Sequence, residues 1–172
     1  IEYFNKAISL NPSYSEAYYN LGLAFSKLHE FDSAIKSYNK ALSLKPNYPE
    51  AYNSLATIIS QKGKLDEAIK LFNKAILLRP NYSEAYFNIG IVFKKQNKLY
   101  EALDSYQKAI NFKPNYFESF YNIASIFEEQ GKLHKAIDHY DKALRIRPDL
   151  DKAQDQKLHQ KAKMCDWKTI QQ

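Results

Sequence analysis

The histidines and the single cysteine of this 172-residue chain are the side chains best suited to metal binding or nucleophilic catalysis. His134 and His139 are five residues apart, so on a helix they point to different sides rather than to one metal ion. Cys165 has His159 nearby in sequence, but no third group orients them as a nucleophile and its base. All four glycines belong to a repeating pattern, which leaves no glycine-rich loop for a phosphate. We therefore expect no catalytic residue, no metal site and no cofactor, and solvated histidines.

Recurrent asparagines offer a different chemistry, the recognition of peptide groups. Asn20, Asn88 and Asn122 occupy one equivalent position, Ser54 breaks the series, and Asn53 lies one residue before Ser54. An amide both donates and accepts hydrogen bonds, so it can pair with one peptide unit of any sequence. Packed helices lie about 8–10 Å apart and an extended chain advances about 3.3 Å per residue, so this series would hold every third residue of an extended peptide. The alternative is that the amides bond between adjacent units and fix their stacking.

A period of 34 residues sets the elements that carry these side chains. It is marked by Pro12, Pro46, Pro80, Pro114 and Pro148. Within each unit, apolar residues first recur in steps of three, one and three, as on one face of a helix, and then alternate small, large and small side chains. The first unit shows these two stripes as Tyr18, Leu21, Gly22 and Phe25, followed by Ala34, Tyr38 and Ala41. The pattern predicts two closely packed helices per unit.

The turn between the two predicted helices needs a residue that tolerates positive φ. Gly63 and Gly131 fill this place in two units, and each ends the first helix of its unit. Asn97 fills it in a third unit and also tolerates that conformation. His29 does so less readily, so we expect the most strained turn there.

These residues resemble the tetratricopeptide repeat family, whose pattern is an aromatic residue, Leu-Gly and an aromatic residue in the first helix, with Ala, an aromatic residue, Ala and a closing Pro in the second. The resemblance covers residues 1 to about 150. It implies an all-α, right-handed superhelical solenoid of antiparallel helix pairs, with a C-terminal capping helix. The expected organisation is the second helix of a truncated repeat at 1–14, repeats at 15–48, 49–82, 83–116 and 117–150, and a capping helix and tail at 151–172.

In this family the first helices line the concave side of the superhelix, where ligands lie. The resemblance therefore implies a peptide-binding groove at the non-core positions of those helices, namely Tyr19, Asn20, Asn53, Ser54, Thr57, Phe87, Asn88, Tyr121, Asn122 and Ser125. The three aromatic residues would be anchors for a partner or ordinary packing between repeats. The clamp that some members use on chaperone carboxylates needs lysine at a place where this chain has Tyr, Asn and Phe, so we exclude it.

The tail after the repeats has two notable features. Leu150, Ala153, Leu158 and Ala162 form a thin apolar stripe, as expected of a helix that caps the last repeat. The Cys165-Asp166-Trp167 segment is similar to a junction that precedes the catalytic region in O-linked N-acetylglucosamine transferase and Spindly-like proteins, a subgroup whose inner face is also lined by asparagines. The alternative is an amphipathic end segment whose tryptophan packs on the last hairpin.

Charge and hydropathy narrow the class of partner. The net charge of +6 comes from lysines and arginines that are spread along the repeats. One set, Lys45, Arg79, Lys113 and Arg147, precedes the prolines, where a cation complements the negative end of a helix dipole. No apolar run approaches the roughly 20 residues of a membrane span, and a single cysteine suits a reducing compartment. We expect a protein or peptide partner, neither nucleic acid nor membrane, and a cytoplasmic location.

The leading hypothesis is a non-catalytic scaffold that binds an extended peptide. A second hypothesis is the substrate-recognition region of an O-linked glycosyltransferase whose catalytic domain lies beyond Gln172. A third is self-association into a homo-oligomer through exposed ends of the solenoid, because the truncated repeat at the start leaves an end that we expect to be frayed or covered by another molecule.

Overall fold

The structure is a computed structural model that describes residues 1–170, and the side chains of residues 1–163. All of its regular elements are helices within that range. They are α1 (Glu2–Leu10), α2 (Ser15–Lys27), α3 (Phe31–Leu44), α4 (Pro49–Gln61), α5 (Leu65–Leu78), α6 (Ser83–Lys95), α7 (Leu99–Phe112), α8 (Phe117–Glu129), α9 (Leu133–Ile146) and α10 (Asp151–Ile170). The predicted all-α fold of helix pairs is confirmed.

The chain divides into two compact units, Ile1–Val92 and Phe93–Gln172, here called unit 1 and unit 2. The boundary falls inside α6. In unit 1, α2 pairs with α3 and α4 pairs with α5; in unit 2, α8 pairs with α9, and α10 packs on α9. The four first helices, α2, α4, α6 and α8, start at residues 15, 49, 83 and 117.

Small residues allow the two helices of a hairpin to approach closely. In unit 1, Ala34 and Ala41 of α3 are completely buried and flank Tyr38, which is 1% exposed. The ring of Tyr38 lies against Gly22 of α2, where an added Cβ would be only 2.6 Å from the ring. The predicted stripe of small, large and small residues is therefore the packing surface of the hairpin.

The turn inside each hairpin has the predicted left-handed residue. Gly63 and Gly131 have φ of 80° and 69°, and Asn97 and His29 have φ of 58° and 60°. An L residue with a Cβ pays roughly 1–2 kcal/mol in this conformation, and asparagine tolerates it better than histidine. His29 is therefore the most strained of the four turns, as expected.

The first hairpin of unit 2 shows how a cap closes a repeat. Ala124, Ala136, Tyr140 and Ala153 form one buried cluster, with Leu150 packed at its edge. Ala153 brings α10 against this cluster at the same relative position as Ser119 in α8. The helix α10 thus stacks as a first helix would.

The predicted apolar stripe on α10 is only half right. Ala153 is buried and Leu150 is half-buried, but Leu158 is 64% exposed and Ala162 is exposed. Leu158 holds the position of Ala124, which faces the second helix of its own repeat, and no second helix follows α10 in the described part of the chain. The buried residue is instead Gln160, which holds the position of Ile126 and is completely buried.

The contact between α10 and its neighbours is polar as a result. Glu128 of α8 accepts hydrogen bonds from Gln160 Nε2 at 2.5 Å and from the Tyr140 hydroxyl at 2.7 Å. Lys157 forms an ion pair with Asp141 of α9. Burial and the adjacent carboxylate raise the pKa of Tyr140, so its hydroxyl stays protonated and remains a donor.

At the start of unit 1, α1 lacks a first helix to pack against. Phe4 and Ala7 are half-buried, whereas their equivalents Tyr38 and Ala41 are fully buried. None of the residues of α1 is buried. The helix forms from Glu2 to Leu10 and is not frayed in the structure; that another molecule covers it remains a prediction.

The expectation of solvated histidines holds for His134, which is exposed, but is wrong for His139. The His139 side chain is 18% exposed, and its ring centroid lies 5.3 Å from that of Phe127. Its Nδ1 is 2.9 Å from the Lys135 carbonyl oxygen, which can only accept, so Nδ1 carries the proton. Burial lowers the pKa of His139 despite this hydrogen bond. Sequence spacing placed the two histidines on different sides of α9 but did not reveal that one side is packed.

Replacing His29 with Asn should raise the free energy of unfolding by about 0.5–1 kcal/mol, because asparagine adopts the left-handed conformation at less cost. The gain is reduced by loss of the edge contact between the rings of His29 and Phe31. Urea denaturation followed by circular dichroism measures the change. Gly63→Ala is the matched control and should lower stability by about 1 kcal/mol, since no atom lies within 4 Å of the added Cβ and only φ is strained. An unchanged or lower stability of the His29→Asn variant would contradict the assignment of strain.

Stability should fall as the pH drops from 7 to about 5, and His139 should contribute to the fall. Its folded-state pKa lies below the ordinary value of 6.5, so the unfolded chain takes up the proton first. The contribution is therefore present above about pH 6.5 and is lost as the pH falls through the unfolded-state pKa.

Thermal unfolding across that range tests this dependence with two variants. His139→Ser introduces the residue found at the equivalent positions 37 and 105, and should flatten the dependence. His134→Ser, on the exposed side of the same helix, should leave it unchanged. Equal slopes for the two variants would show that the burial of His139 has no energetic effect.

Candidate functional site

The predicted groove residues lie on first helices in both units. In unit 1 they are distributed over α2, α4 and the part of α6 that precedes Phe93; in unit 2 they lie on α8. Most of them are half-buried, and Asn20 is exposed. Each unit therefore presents its own group of these side chains.

In unit 1 the first helices are joined by polar contacts between predicted groove residues. Asn88 Nδ2 of α6 donates to Asn53 Oδ1 of α4 at 3.0 Å. One repeat earlier, the Tyr19 hydroxyl of α2 lies 3.5 Å from Ser54 Oγ of α4. The structure thus contains bonding between adjacent units, one of the two alternatives that the sequence left open for the asparagines.

The Asn53–Asn88 bond uses only half of each amide. Asn53 Nδ2 and Asn88 Oδ1 have no further hydrogen bond among the described side chains. One donor and one acceptor therefore remain on neighbouring helices, and exchanging the oxygen and nitrogen of both amides would leave the same set. Asn20 of α2 is exposed and has both ends of its amide open to solvent.

Hydrogen bonds within single helices hold two other residues of the predicted groove. Thr57 Oγ1 donates to the Asn53 carbonyl oxygen at 2.9 Å. In unit 2, Asn122 Nδ2 donates to the Glu118 carbonyl oxygen at 2.8 Å, so its Oδ1 is the end that faces away from the helix. These local bonds fix the rotamers of Thr57 and Asn122.

The aromatic residues of the predicted groove pack against the second helices. The ring centroid of Tyr19 is 4.9 Å from that of Tyr48 and 5.8 Å from that of Tyr38. In unit 2 the ring of Tyr121 is 5.5 Å from that of Tyr140, in an edge arrangement. Packing is therefore one role of Tyr19 and Tyr121, which remain half-buried with part of each ring accessible.

Ser125 lies beside a charged pair that sequence reasoning did not place there. Lys94 Nζ, from the end of α6 within unit 2, donates to Ser125 Oγ at 2.8 Å and forms an ion pair with Glu129 at the same distance. The Lys94 side chain is 25% exposed. Because Glu129 compensates its charge, Lys94 is not a free cation available to a terminal carboxylate.

A recurring clip between the two ends of a repeat was also missed. Lys45 Nζ, at the end of α3, lies 2.8 Å from Glu16 Oε1 in the first turn of α2, and 4.5 Å from the ring centroid of Tyr48. Arg79 pairs in the same way with Glu50 and lies 4.8 Å from the ring centroid of Tyr82.

The electrostatic effect of this clip is local to each repeat. The hydrogen bond from Lys45, followed by that from Ser15, lowers the pKa of Glu16 to about 2. Burial raises the pKa of Tyr48 and of Tyr82 to about 12. The expected role of these cations at helix ends is therefore incomplete, because they also pair with the glutamates that open the first helices. The signal in the sequence was the recurrence of Glu with Lys or Arg 29 residues later and Tyr three residues after that.

The described side chains do not bring together three or more His, Cys, Asp or Glu in a group that would hold a metal ion. No helix within residues 1–170 has both the length and the hydropathy needed to cross a membrane. The Cys165-Asp166-Trp167 segment lies beyond the described side chains, so its resemblance to the glycosyltransferase junction stays a prediction.

Comparison with solved structures gives the same architecture. A crystal structure of MamA is similar over 87% of this chain and 87% of that chain, with a TM-score of 0.76 and 26% sequence identity. The thermophilic TPR protein TTC0263 of Thermus thermophilus gives a TM-score of 0.75 at 22% identity, over 91% of this chain and 86% of that chain. MamA residues 41 to the end from Desulfovibrio magneticus RS-1 give 0.75 at 18% identity, over 87% and 85% of the two chains. The last two likenesses show the fold alone.

Sequence comparison identifies the family. No curated protein sequence matches the chain. Family models described as tetratricopeptide repeat or TPR repeat match residues 15–48, 37–70, 58–97, 92–131 and 117–150, which together cover most of the chain. The pattern of aromatic, small and proline residues, the helix pairs and these matches agree, and the chain belongs to the tetratricopeptide repeat family.

Proposed function

We propose that this protein is an interaction scaffold that holds an extended polypeptide segment against the face of its first helices. Repeat proteins of this kind use such extended surfaces to bind other proteins. Within unit 1 the contact would be made by α2, α4 and the first part of α6. Within unit 2 it would be made by α8, through Tyr121, Asn122 and Ser125.

The observation that carries the proposal is the half-used pair of amides in unit 1. Asn53 keeps a donor and Asn88 keeps an acceptor, side by side on two helices. A peptide unit presents one carbonyl acceptor and one N–H donor, so it complements this pair without regard to its side chains. The bond between the two amides fixes their positions before a peptide arrives, which lowers the entropic cost of binding.

The ten predicted groove residues include no ionisable acid or base other than tyrosine. Recognition through such residues depends on hydrogen bonds and on contact with partly buried rings such as Tyr19. Attraction between exposed charges is screened over about 10 Å at 0.1 M salt. We therefore expect that the affinity for the peptide changes little with salt concentration.

Replacing both Asn53 and Asn88 with Ala should weaken binding of an extended peptide by about tenfold or more, since each lost hydrogen bond contributes about 0.5–1.5 kcal/mol. The probe is a fluorescent peptide selected on the wild-type protein from a random library, and fluorescence anisotropy measures its affinity. Circular dichroism should show unchanged helicity, because the backbone bonds of α4 and α6 are unaffected.

The matched control is Asn39→Ala with Asn73→Ala. These two asparagines are exposed on the second helices α3 and α5, so the same chemical change is made in the same unit but away from the proposed groove. The control should bind the peptide like the wild type. If both double variants bind equally well, the amides of the first helices serve only to join adjacent repeats and the proposal fails.

A further inference from the structure

The outer surface of the second helices in unit 1 carries unpaired lysines in a regular arrangement. Lys36 and Lys40 are one turn apart on α3, and Lys70 and Lys74 occupy the equivalent positions on α5. All four are exposed, as is Lys6, which holds the position of Lys40 and Lys74 on α1. We call these five residues the lysine face.

The acidic groups of α3 and α5 do not neutralise this face. Asp32 pairs with Lys62 at 2.5 Å, and Glu67 with Lys64 at 3.5 Å. No residue of the lysine face forms an ion pair with a side chain that the structure describes. Lys36 acts on Asp32 only as the more distant of its two cations, and Lys40 lies 6.0 Å from the ring centroid of Tyr18.

Unit 2 solves the same positions differently. Asp104 of α7 and Asp138 of α9 replace the first lysine of each pair. Each forms an ion pair at 2.7 Å with the lysine one turn later, Lys108 and Lys142. Opposite charges four residues apart stabilise a helix, whereas like charges destabilise it. Unit 1 therefore carries a repulsion that unit 2 avoids, and a bound polyanion would relieve it.

Exposed apolar side chains accompany the lysines. Leu77, three residues after Lys74, is 73% exposed. On α1, Leu10 follows Lys6 by four residues and is 80% exposed. Residues three or four apart are neighbours on a helix surface, so each leucine lies beside a lysine. The surface thus alternates cationic and single apolar side chains.

We propose that the lysine face of unit 1 is a second docking surface, separate from the first helices, and that its occupant is an acidic amphipathic polypeptide segment. Carboxylates of such a segment would pair with the lysines while its apolar side chains cover Leu77 and Leu10. The lysine face contains no arginine, the residue that reads phosphate and guanine with two parallel bonds. Its apolar side chains are separated by lysine and asparagine and do not form the continuous face that a lipid surface takes up.

Changing Lys36 and Lys70 to Asp tests the proposal with the chain's own alternative, because it reproduces the ion pairs of unit 2. The probe is a fluorescein-labelled helical peptide of Glu and Leu, measured by anisotropy at about 0.05 M and about 0.5 M salt. The wild type should bind it at least about tenfold more tightly at low salt than at high salt. The double variant should lose about tenfold in affinity at low salt and should be at least as thermally stable as the wild type.

A charge-matched control separates a local surface from net charge. Lys152→Asp with Lys161→Asp changes two exposed lysines of α10 in unit 2 and alters the net charge by the same amount. This control should bind within about twofold of the wild type. Equal losses in both double variants would overturn the proposal, because the binding would then reflect overall charge.

Two further probes distinguish the class of occupant. Duplex DNA and vesicles with anionic lipid are measured under the same conditions. If either binds more tightly than the acidic peptide and is lost in the Lys36 and Lys70 variant, the acidic polypeptide is the wrong occupant. Should the aspartate variant unfold, Lys36→Gln with Lys70→Gln removes the charges without adding new ones, and must weaken peptide binding for the proposal to stand.

Discussion

The close crossing of two helices within each hairpin is the interaction on which the rest of the structure depends. Gly22 against Tyr38, and Ala124 with Tyr140 in unit 2, allow a large ring to lie directly on a neighbouring backbone. A single methyl group at Gly22 would come within 2.6 Å of the buried ring, so the rotation of the first helix about its axis is fixed. That rotation determines which side chains of the first helix remain available, and therefore where Asn53 and Asn88 lie.

Contacts between one repeat and the next are more polar than contacts within a repeat. Asn53 with Asn88, and Glu128 with Tyr140 and Gln160, join successive elements by hydrogen bonds. A hydrogen bond between side chains adds only about 0.5–1.5 kcal/mol net, so these contacts specify stacking more than they drive it. They also leave polar atoms accessible, which allows the same asparagines to support the stacking and to offer bonds to a peptide.

The repeat separates packing from surface chemistry. The buried alanines and aromatic rings are nearly the same in each hairpin, whereas the outer positions of the second helices hold lysine pairs in unit 1 and aspartate–lysine pairs in unit 2. Because these outer positions do not contribute to the core, their charges can differ without a change of fold. A single family framework therefore carries different surfaces along its length.

The sequence by itself determined the features that depend on local geometry. The period of 34 residues, the helix pairs, and the left-handed turns at His29 and Asn97 follow from spacing and from the conformational limits of single residues. Only the tertiary structure decided that Gln160 is buried while Leu158 is exposed, that His139 is packed, and that Lys45 pairs with Glu16. Each of these outcomes depends on a neighbour supplied by another helix, and periodicity within one helix does not specify which of its faces that neighbour will cover.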